Sequence, residues 1–518
     1  MSEGSEKVAA GAESVTHRTL SGMFWMVSGS GLQAVLRIGV LVVLARLLDP
    51  QEFGVVAAAL IVVDFLEIFS DFGMGPAVVQ HRAPEERHIR TAFTVSLVLG
   101  CIFAAVIWAA APLAAAFFRI EALTPVMRAM SLVFPLDSLA LVSASLLRRD
   151  LKFRKLAVIS VRSYAVGYCV VGVGAALAGF GVWALVAANL SQTLLSSAQL
   201  LWARPHAKRL LFDRATLKEM TYAGGGFSAA HLFNYAALKG DNAVVGRALG
   251  VAALGLYTRA YGLMSISVSV FGAALDKVLF AAMSRVQDDP ERLTAAFRRG
   301  LAGLSLLVLP MSAAMCVLAP ELVRVLLGEK WSGVTAPFQV LAAGMLFRNG
   351  YKLCSAVARA RGAVYRNAWR QGAYAVMVLA GSLAGARWGL TGVAAGVLAA
   401  LGLHFAVMAK LALSLTQLGW REYLSAHVPA LRLTLLLALE LWFVVTLSRG
   451  VGLAPAATLA AALLSAGATM VVLLRVSPRL ALGGDGVWAL ERVIERAPGR
   501  AMLTWWLRLG ARDLPGAA

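Results

Sequence analysis

The sequence predicts an all-α polytopic membrane protein of about fourteen transmembrane helices, arranged as two six-helix lobes of like orientation followed by two C-terminal helices. Three observations predict it. Of 518 residues, 59% are hydrophobic and only 15% charged, with a mean hydropathy of +0.74, which leaves too little polar surface for a water-soluble protein. The apolar residues come in runs of roughly twenty, long enough to cross hydrocarbon as a helix, rather than in the alternating segments of a membrane β-barrel. The chain also repeats itself weakly, residue 44 matching 245 and residue 149 matching 361.

Taken in order, the apolar runs place spans near 21–45, 53–72, 92–117, 124–147, 156–178, 181–202, 221–249, 254–281, 300–318, 335–358, 366–387, 389–413, 430–448 and 452–474. The repeat supports dividing them at the middle. LARLLDPQEFG (44–54) aligns with VGRALGVAALG (245–255), sharing Arg46/Arg247, Leu48/Leu249 and Gly54/Gly255. VQHRAPEER (79–87) meets VQDDPER (286–292), and RDLKFRK (149–155) meets RGAVYRN (361–367). An even number of spans separates the two copies, so they are parallel repeats related by an axis along the membrane normal. The expected organisation is a cytoplasmic tail (1–20), an N-lobe (21–203), a cytoplasmic linker (204–220), a C-lobe (221–416), two further spans (417–475) and a cytoplasmic amphipathic tail (476–518). In that last tail Trp488, Trp505 and Trp506 are interleaved with arginines, a composition suited to an anionic leaflet.

Lys and Arg total 48 against 28 Asp and Glu, a net charge of +20. Most of this excess sits in loops after even-numbered spans, including Arg148 to Lys155, Arg204 to Lys218 and Arg359 to Arg370. Basic loops stay in the cytoplasm, so both termini are expected there, and no nucleic-acid partner is needed to explain the charge. The first twenty residues lack the pattern of a cleaved signal. The four cysteines fall in apolar stretches without ligand spacing, so neither a metal site nor a cofactor is expected. No Walker A, HExxH or GxSxG motif occurs, which argues against an enzyme. SGSG (28–31) and AGGGF (223–227) lie in apolar runs and read as packing glycines.

Charge at membrane depth is the informative signal, because each such group is costly and faces a partner or a cavity. Arg37 and Gln33 share a face of span one. Gln33 falls on Asn234 of span seven in the repeat, beside Lys239 and Asp241. In span ten, Arg348 and Lys352 are four residues apart and Arg359 lies seven further on, a cationic stripe suited to an anionic substrate. The candidate substrate-binding set is therefore Arg37, Gln33, Asn234, Lys239, Arg348 and Lys352. Asp64, Glu67 and Asp71 lie on one face of span two and, with Asp137 and Asp241, are candidates for counter-ions or coupling acids. A Lys239–Asp241 structural pair is the alternative reading at that point. His404 reads as a packing residue.

Residues 25–80, with ARLLDPQEFG and DFGMGPAVVQ, resemble the opening of the polysaccharide transporter branch of the MOP superfamily. GRALGVAALGLYTRAYGLM (246–264) and LAPELVRVLLGEKWSGVTAPFQVL (318–341) are similar to two further segments of that family, so the resemblance covers about 20 to 415. It implies a Wzx-like flippase with a MATE-like inverted V fold. Such a protein carries an undecaprenyl-diphosphate-linked repeat unit across the bacterial inner membrane for O-antigen, capsule or exopolysaccharide synthesis. The lipid bilayer and polysaccharide polymerase machinery are the further partners implied. The alternative from the same superfamily is a MATE-type cation-coupled drug or metabolite exporter, which has acidic cavity residues and usually twelve spans.

Overall fold

The structure is a computed structural model that describes residues 31–70, 74–80, 85–207, 209–214, 216–217 and 228–495. The side chains of 70, 80, 228–233, 266–282, 489 and 493–495 are outside that description. Asp71, the 1–20 tail, AGGGF, Trp505 and Trp506 likewise lie outside the described residues, as do the side chains of Asp276 and Lys277.

All regular elements among the described residues are helical. The first half comprises α1 (31–47), α2 (Pro50–Ser70), α3 (Met74–Gln80), α4 (Glu86–Phe118), α5 (Leu123–Met130), α6 (Val133–Arg149), α7 (Phe153–Tyr164), which runs through a π-helical stretch, Ala165–Gly172, into α8 (Val173–Leu177), and α9 (Val182–Ala203). Next come α10 (Ser228–Ala248), α11 (Val251–Arg285), α12 (Pro290–Val317), α13 (Ala319–Leu326), a 3-10 turn (Glu329–Val334), α14 (Thr335–Ala343) and α15 (Met345–Ala360). The chain continues with α16 (Val364–Gly385), α17 (Gly389–Leu413), α18 (Trp420–Ser425), α19 (Val428–Gly450), α20 (Pro455–Val476) and α21 (Pro478–Glu495). Seven stretches among the described residues are long and apolar enough to cross a membrane. One of them, Val364–Leu413, contains a reversal at Ala386–Gly389, where Gly389 takes φ +71°, and so is a helical hairpin rather than a single span. Span ten, expected as one helix over 335–358, is two: the backbone bends at Gly344 between α14 and α15.

Local chemistry sets the boundaries. Asp289 caps α12, its carboxylate accepting from the Arg292 amide at 3.0 Å with Pro290 at the first helical position. Glu85 and His88 close a reciprocal cap on α4, the His88 ring accepting from the Glu85 amide at 3.2 Å. These two starts lie in sequence segments that align in the repeat. The third aligned pair behaves alike too: both segments form a turn between helices around a positive-φ residue, Leu151 (φ 53°) and Gly362 (φ 68°).

Apolar side chains gain little by leaving lipid for a neighbouring helix, so close backbone packing holds such helices together. In the α16–α17 hairpin Gly381 lies against the carbonyl of Gly396, and Gly385 against that of Gly392, so no Cβ fits at either crossing. Gly167 and Gly172 similarly admit the face of α9 bearing Ala188 and Gln192. The first aligned pair of the repeat meets itself. A Cβ on Gly54 would strike the carbonyl of Val251, while one on Gly255 would strike the carbonyl of Pro50. Val251 aligns with Pro50 in the sequence comparison, so the contact is reciprocal.

The chain divides into two compact units, Met1–Thr258 and Arg259–Ala518, the division falling within α11. In the first, the described part of the linker is tied to the helices beside it. Ser143 Oγ donates to the Arg204 carbonyl at 2.9 Å, Arg90 Nε to the Arg209 carbonyl at 3.1 Å, and the Leu211 amide to Thr94 Oγ1 at 2.9 Å. In the second, Arg449 of α19 grips the buried Glu321 of α13, with Nη2 and Nε at 2.7 and 2.8 Å from one carboxylate oxygen. Arg298 and Asp485 pair at 3.1 Å, fastening α21 to α12. Polar contacts between loops join loops of matching parity in the expected span order: Asp150 with Arg204, Arg361 with the Gln287 carbonyl, the Gln417 amide with Thr294, and Glu321 with Arg449.

Candidate functional site

Polar groups at membrane depth gather in several patches of the first unit and around one arginine of the second. In the first unit α1 brings Gln33 and Arg37 to one face, and α7 presents Ser160 and Tyr164 one turn apart. Ser160 Oγ donates to Gln33 Oε1 at 3.3 Å, and the Arg37 guanidinium sits 5.7 Å from the centre of the Tyr164 ring. Tyr168, one turn further into the π-helical stretch, stacks on Tyr164 at 4.8 Å. An extra residue in a helical turn re-aims the side chains that follow it, which is why such turns recur at functional sites. Gln199 of α9 extends the array, donating to Ser163 at 3.1 Å.

A second polar patch in this unit joins α2 and α10. Lys239 Nζ lies 3.3 Å from Asp64 Oδ2, both half-buried, and the Tyr235 hydroxyl donates to the Ile61 carbonyl one turn away. Lys239 therefore takes Asp64 as its counter-ion rather than Asp241. Asp241 is buried and accepts from the Tyr257 hydroxyl at 2.9 Å and from the Asn242 amide at 2.8 Å. The reason is local: residues two apart point to opposite sides of a helix. Asn234 is exposed. Glu67 and Asp137 lie elsewhere on the first unit's polar surface. With Arg148 and Ser138 they line a separate cavity of about 280 Å³.

In the second unit the bend at Gly344 starts α15 inside the expected span, and Arg348 follows one turn later. It is 8% exposed. Its guanidinium donates to the Tyr261 hydroxyl and lies 4.7 Å from the centre of that ring. Tyr351 and Tyr374 are close enough to interact with it electrostatically. No carboxylate pairs with Arg348 among the described residues. Behind it His404 is fully buried, stacked on Tyr374 at 4.3 Å and edge-on to Tyr351 at 4.9 Å. Lys352, one turn along α15, is half-buried, and Arg359 is exposed at the helix end.

The chemistry on offer is a permanent cation held in an aromatic cage. A planar guanidinium stacked on tyrosine keeps donors free for a planar or tetrahedral oxyanion. The Tyr261 hydroxyl and ring hold the guanidinium, while Tyr351 and Tyr374 are buried against His404 and fix the surroundings of the cation. Sequence reasoning selected Arg348 and Arg37 but missed the tyrosines against them. Tyr351 carried a signal, being three residues from Arg348 on the same helix. Tyr261 and Tyr374 carried none, because their helices meet α15 only in three dimensions.

A model of the polysaccharide biosynthesis protein family matches residues 43–336, more than half of the chain. The chain belongs to that family. This family member is 32% identical over 291 residues to the succinoglycan biosynthesis transport protein ExoT of Rhizobium meliloti, a match covering 56% of the chain and 58% of ExoT. It is 25% identical over 346 residues to the lipopolysaccharide biosynthesis protein WzxC of Escherichia coli, covering 65% and 68% of the two chains. Among solved structures, the inward closed lipid II flippase MurJ superposes with a TM-score of 0.71 at 12% identity, over 87% of this chain and 98% of MurJ. An inward-facing multidrug resistance MATE transporter gives a TM-score of 0.59 at 16% identity, over 74% and 95%. At these identities the two structures establish a shared fold, and the long apolar helices of this fold make the chain a multi-pass membrane protein.

Proposed function

We propose that this polysaccharide biosynthesis protein is a flippase. It moves undecaprenyl-diphosphate-linked oligosaccharide repeat units across the bacterial inner membrane by alternating access, with both termini in the cytoplasm. The observation that carries the reading is Arg348, a cation that cannot be neutralised, buried at membrane depth with no carboxylate partner among the described residues. Burying an unpaired charge costs several kcal/mol, roughly 3–5 where a pair is broken, and an anionic substrate that completes the pair recovers much of it. A diphosphate supplies that anion. It also supplies a direction, since each charge crossing 100 mV is worth about 2.3 kcal/mol and an inside-negative potential drives the anion outward. The transport roles of ExoT and MurJ agree with this.

Arg37, Gln33, Lys239 and Lys352 are the further candidates for holding the headgroup and its sugars, with Arg37 the least encumbered by acidic partners. The fourteen-span, two-lobe reading is supported by the matched parity of the loop contacts and by the reciprocal Gly54–Gly255 crossing. The cavity shared by Glu67 and Asp137 favours one second reading, a cation-coupled exporter of the MATE type.

One experiment separates the two: measuring undecaprenyl-diphosphate-linked oligosaccharide in membranes of a deletion strain complemented with wild type or Arg348→Ala. Accumulation relieved only by wild type is the expected result. Unchanged lipid-linked sugar, with altered sensitivity to toxic cations, would move the assignment to the exporter.

A further inference from the structure

The α16–α17 hairpin carries a groove of about 690 Å³ whose walls include Met377, Ala384, Trp388, Ala395 and Leu403. That volume lies in the range of ligand sites. Its lining is almost wholly apolar, and its floor is the glycine crossing of the two helices. On α16, Met377 and Ala384 fall within about 40° of Arg366 and Arg370 at 100° per residue, so groove and cations share a face. On α17 the exposed positions Thr391, Ala395, Ala399 and Leu403 continue in the same stripe to exposed Lys410. The two basic ends are adjacent: Arg366 Nη2 donates to Ser414 Oγ at 3.0 Å, and Arg370 to the Arg366 carbonyl. No carboxylate pairs with Arg366, Arg370 or Lys410 among the described residues, and Arg370 Nε is buried without a hydrogen-bond partner.

We infer that this face is a binding site for a phosphate-headed lipid with a single very long chain, the head on Arg366, Arg370 and Lys410 and the chain in the groove. The occupant follows from distance. At 1.5 Å per residue the groove begins about 10 Å along α16 from Arg370 and ends near Trp388, about 27 Å away. Half of the ~30 Å hydrocarbon layer is about 15 Å, so most of the groove lies in the leaflet opposite the cations. A phospholipid held by its phosphate at the basic end keeps its acyl chains in its own leaflet and leaves the groove largely unfilled. A polyisoprenoid chain is long enough to run from one end of the stripe to the other. This rests on the flippase reading for the identity of the lipid and extends it. The chain is held outside the transport pathway on the hairpin, while the glycan and diphosphate are handed toward Lys352 and Arg348.

The test is binding to the purified full-length protein in detergent by native mass spectrometry, with undecaprenyl diphosphate, farnesyl diphosphate and phosphatidylglycerol as probes. Wild type is expected to bind undecaprenyl diphosphate about tenfold more tightly than farnesyl diphosphate, which has the same head and a short chain. Filling the groove with Ala384→Trp and Ala395→Trp removes that difference and leaves farnesyl diphosphate binding unchanged, which also shows that the variant is folded. Arg366→Gln, Arg370→Gln and Lys410→Gln each weaken both diphosphates by roughly fivefold. Undiminished undecaprenyl diphosphate binding to the groove-filled variant, or equal competition by phosphatidylglycerol, overturns the inference and leaves the flippase reading standing. Failure of wild type to bind either diphosphate overturns both.

Discussion

Alanine at Gly54 or Gly255 places a methyl group where two helix starts touch backbone to backbone. At Gly54 it meets the carbonyl of Val251; at Gly255 it meets the carbonyl of Pro50 and, at 3.1 Å, the Gly54 amide nitrogen. None of these atoms belongs to a flexible side chain, so α2 and α11 must part by more than about 1 Å to restore a contact of about 3.5–4.0 Å. Overpacking of this kind costs about 1–3 kcal/mol, and a clash with backbone belongs at the upper end. Alanine's helix propensity returns about 1 kcal/mol. The net expectation is about 1–2 kcal/mol of destabilisation for each variant. Because both methyls enter one crossing, the double variant costs less than the sum, with a coupling of at least about 0.5 kcal/mol. Gly39→Ala is the control: it lies in α1 with nothing within 4 Å of the added Cβ, so only propensity acts and stability holds or rises. Denaturation of the detergent-solubilised full-length protein reads all four variants. If Gly54→Ala and Gly255→Ala stabilise as Gly39→Ala does, the reciprocal crossing is not a tight contact and the reasoning fails.

Other predictions concern charges and cages. Lys239→Gln and Asp64→Asn, combined in a double-mutant cycle, should show a coupling of only about 0.5–1 kcal/mol, because both side chains remain about one-third exposed, and a coupling above 3 kcal/mol would contradict the half-buried geometry. Tyr261→Phe should weaken diphosphate binding less than Arg348→Ala does, since it keeps the ring under the guanidinium and removes only the hydroxyl; equal loss from both would mean that the hydroxyl itself contacts substrate. Asp485→Asn should release α21 from Arg298 and Arg299, so limited proteolysis near Arg479 should speed up severalfold, with wild type approaching the variant at high salt. Gly385→Val should stop the α16–α17 hairpin closing and abolish accumulation of folded protein in membranes, as a Gly419→Val change, with open space around its Cβ, should not.

The all-helical membrane character was legible because lipid imposes a length on apolar runs, and two of the aligned segments do share a turn, at Leu151 and at Gly362. What could not be read was anything set by helix rotation. Span ten reads as one helix because Gly344 is a single small residue in an apolar run, and nothing local announces that the helix bends there. The π-helical stretch after Tyr164 is silent for the same reason. Lys239 sits two residues from Asp241 and far along the chain from Asp64, yet it pairs with Asp64, because the geometry within a helix excludes the near acid and the packing of α10 on α2 delivers the distant one. Arg348 was legible from its depth and from the helical face it shares with Lys352. Its surroundings come from three other helices, and only Tyr351, on its own helix, was within reach of sequence reasoning.

The grip of Arg449 on Glu321 bears on how a chain of this kind can be shortened or extended. Glu321 stands in the APELV segment that the family resemblance singles out, yet the cation that holds one oxygen of its buried carboxylate comes from α19, in the pair of helices that follows the aligned segments. Removing α19 and α20 would take away the cation paired with that carboxylate and uncover the apolar packing beside it, an unfavourable exchange unless residue 321 changed as well. The appended helices are thus not a detachable module. A version trimmed of these helices is expected to be more stable with a neutral residue at position 321 than with Glu321.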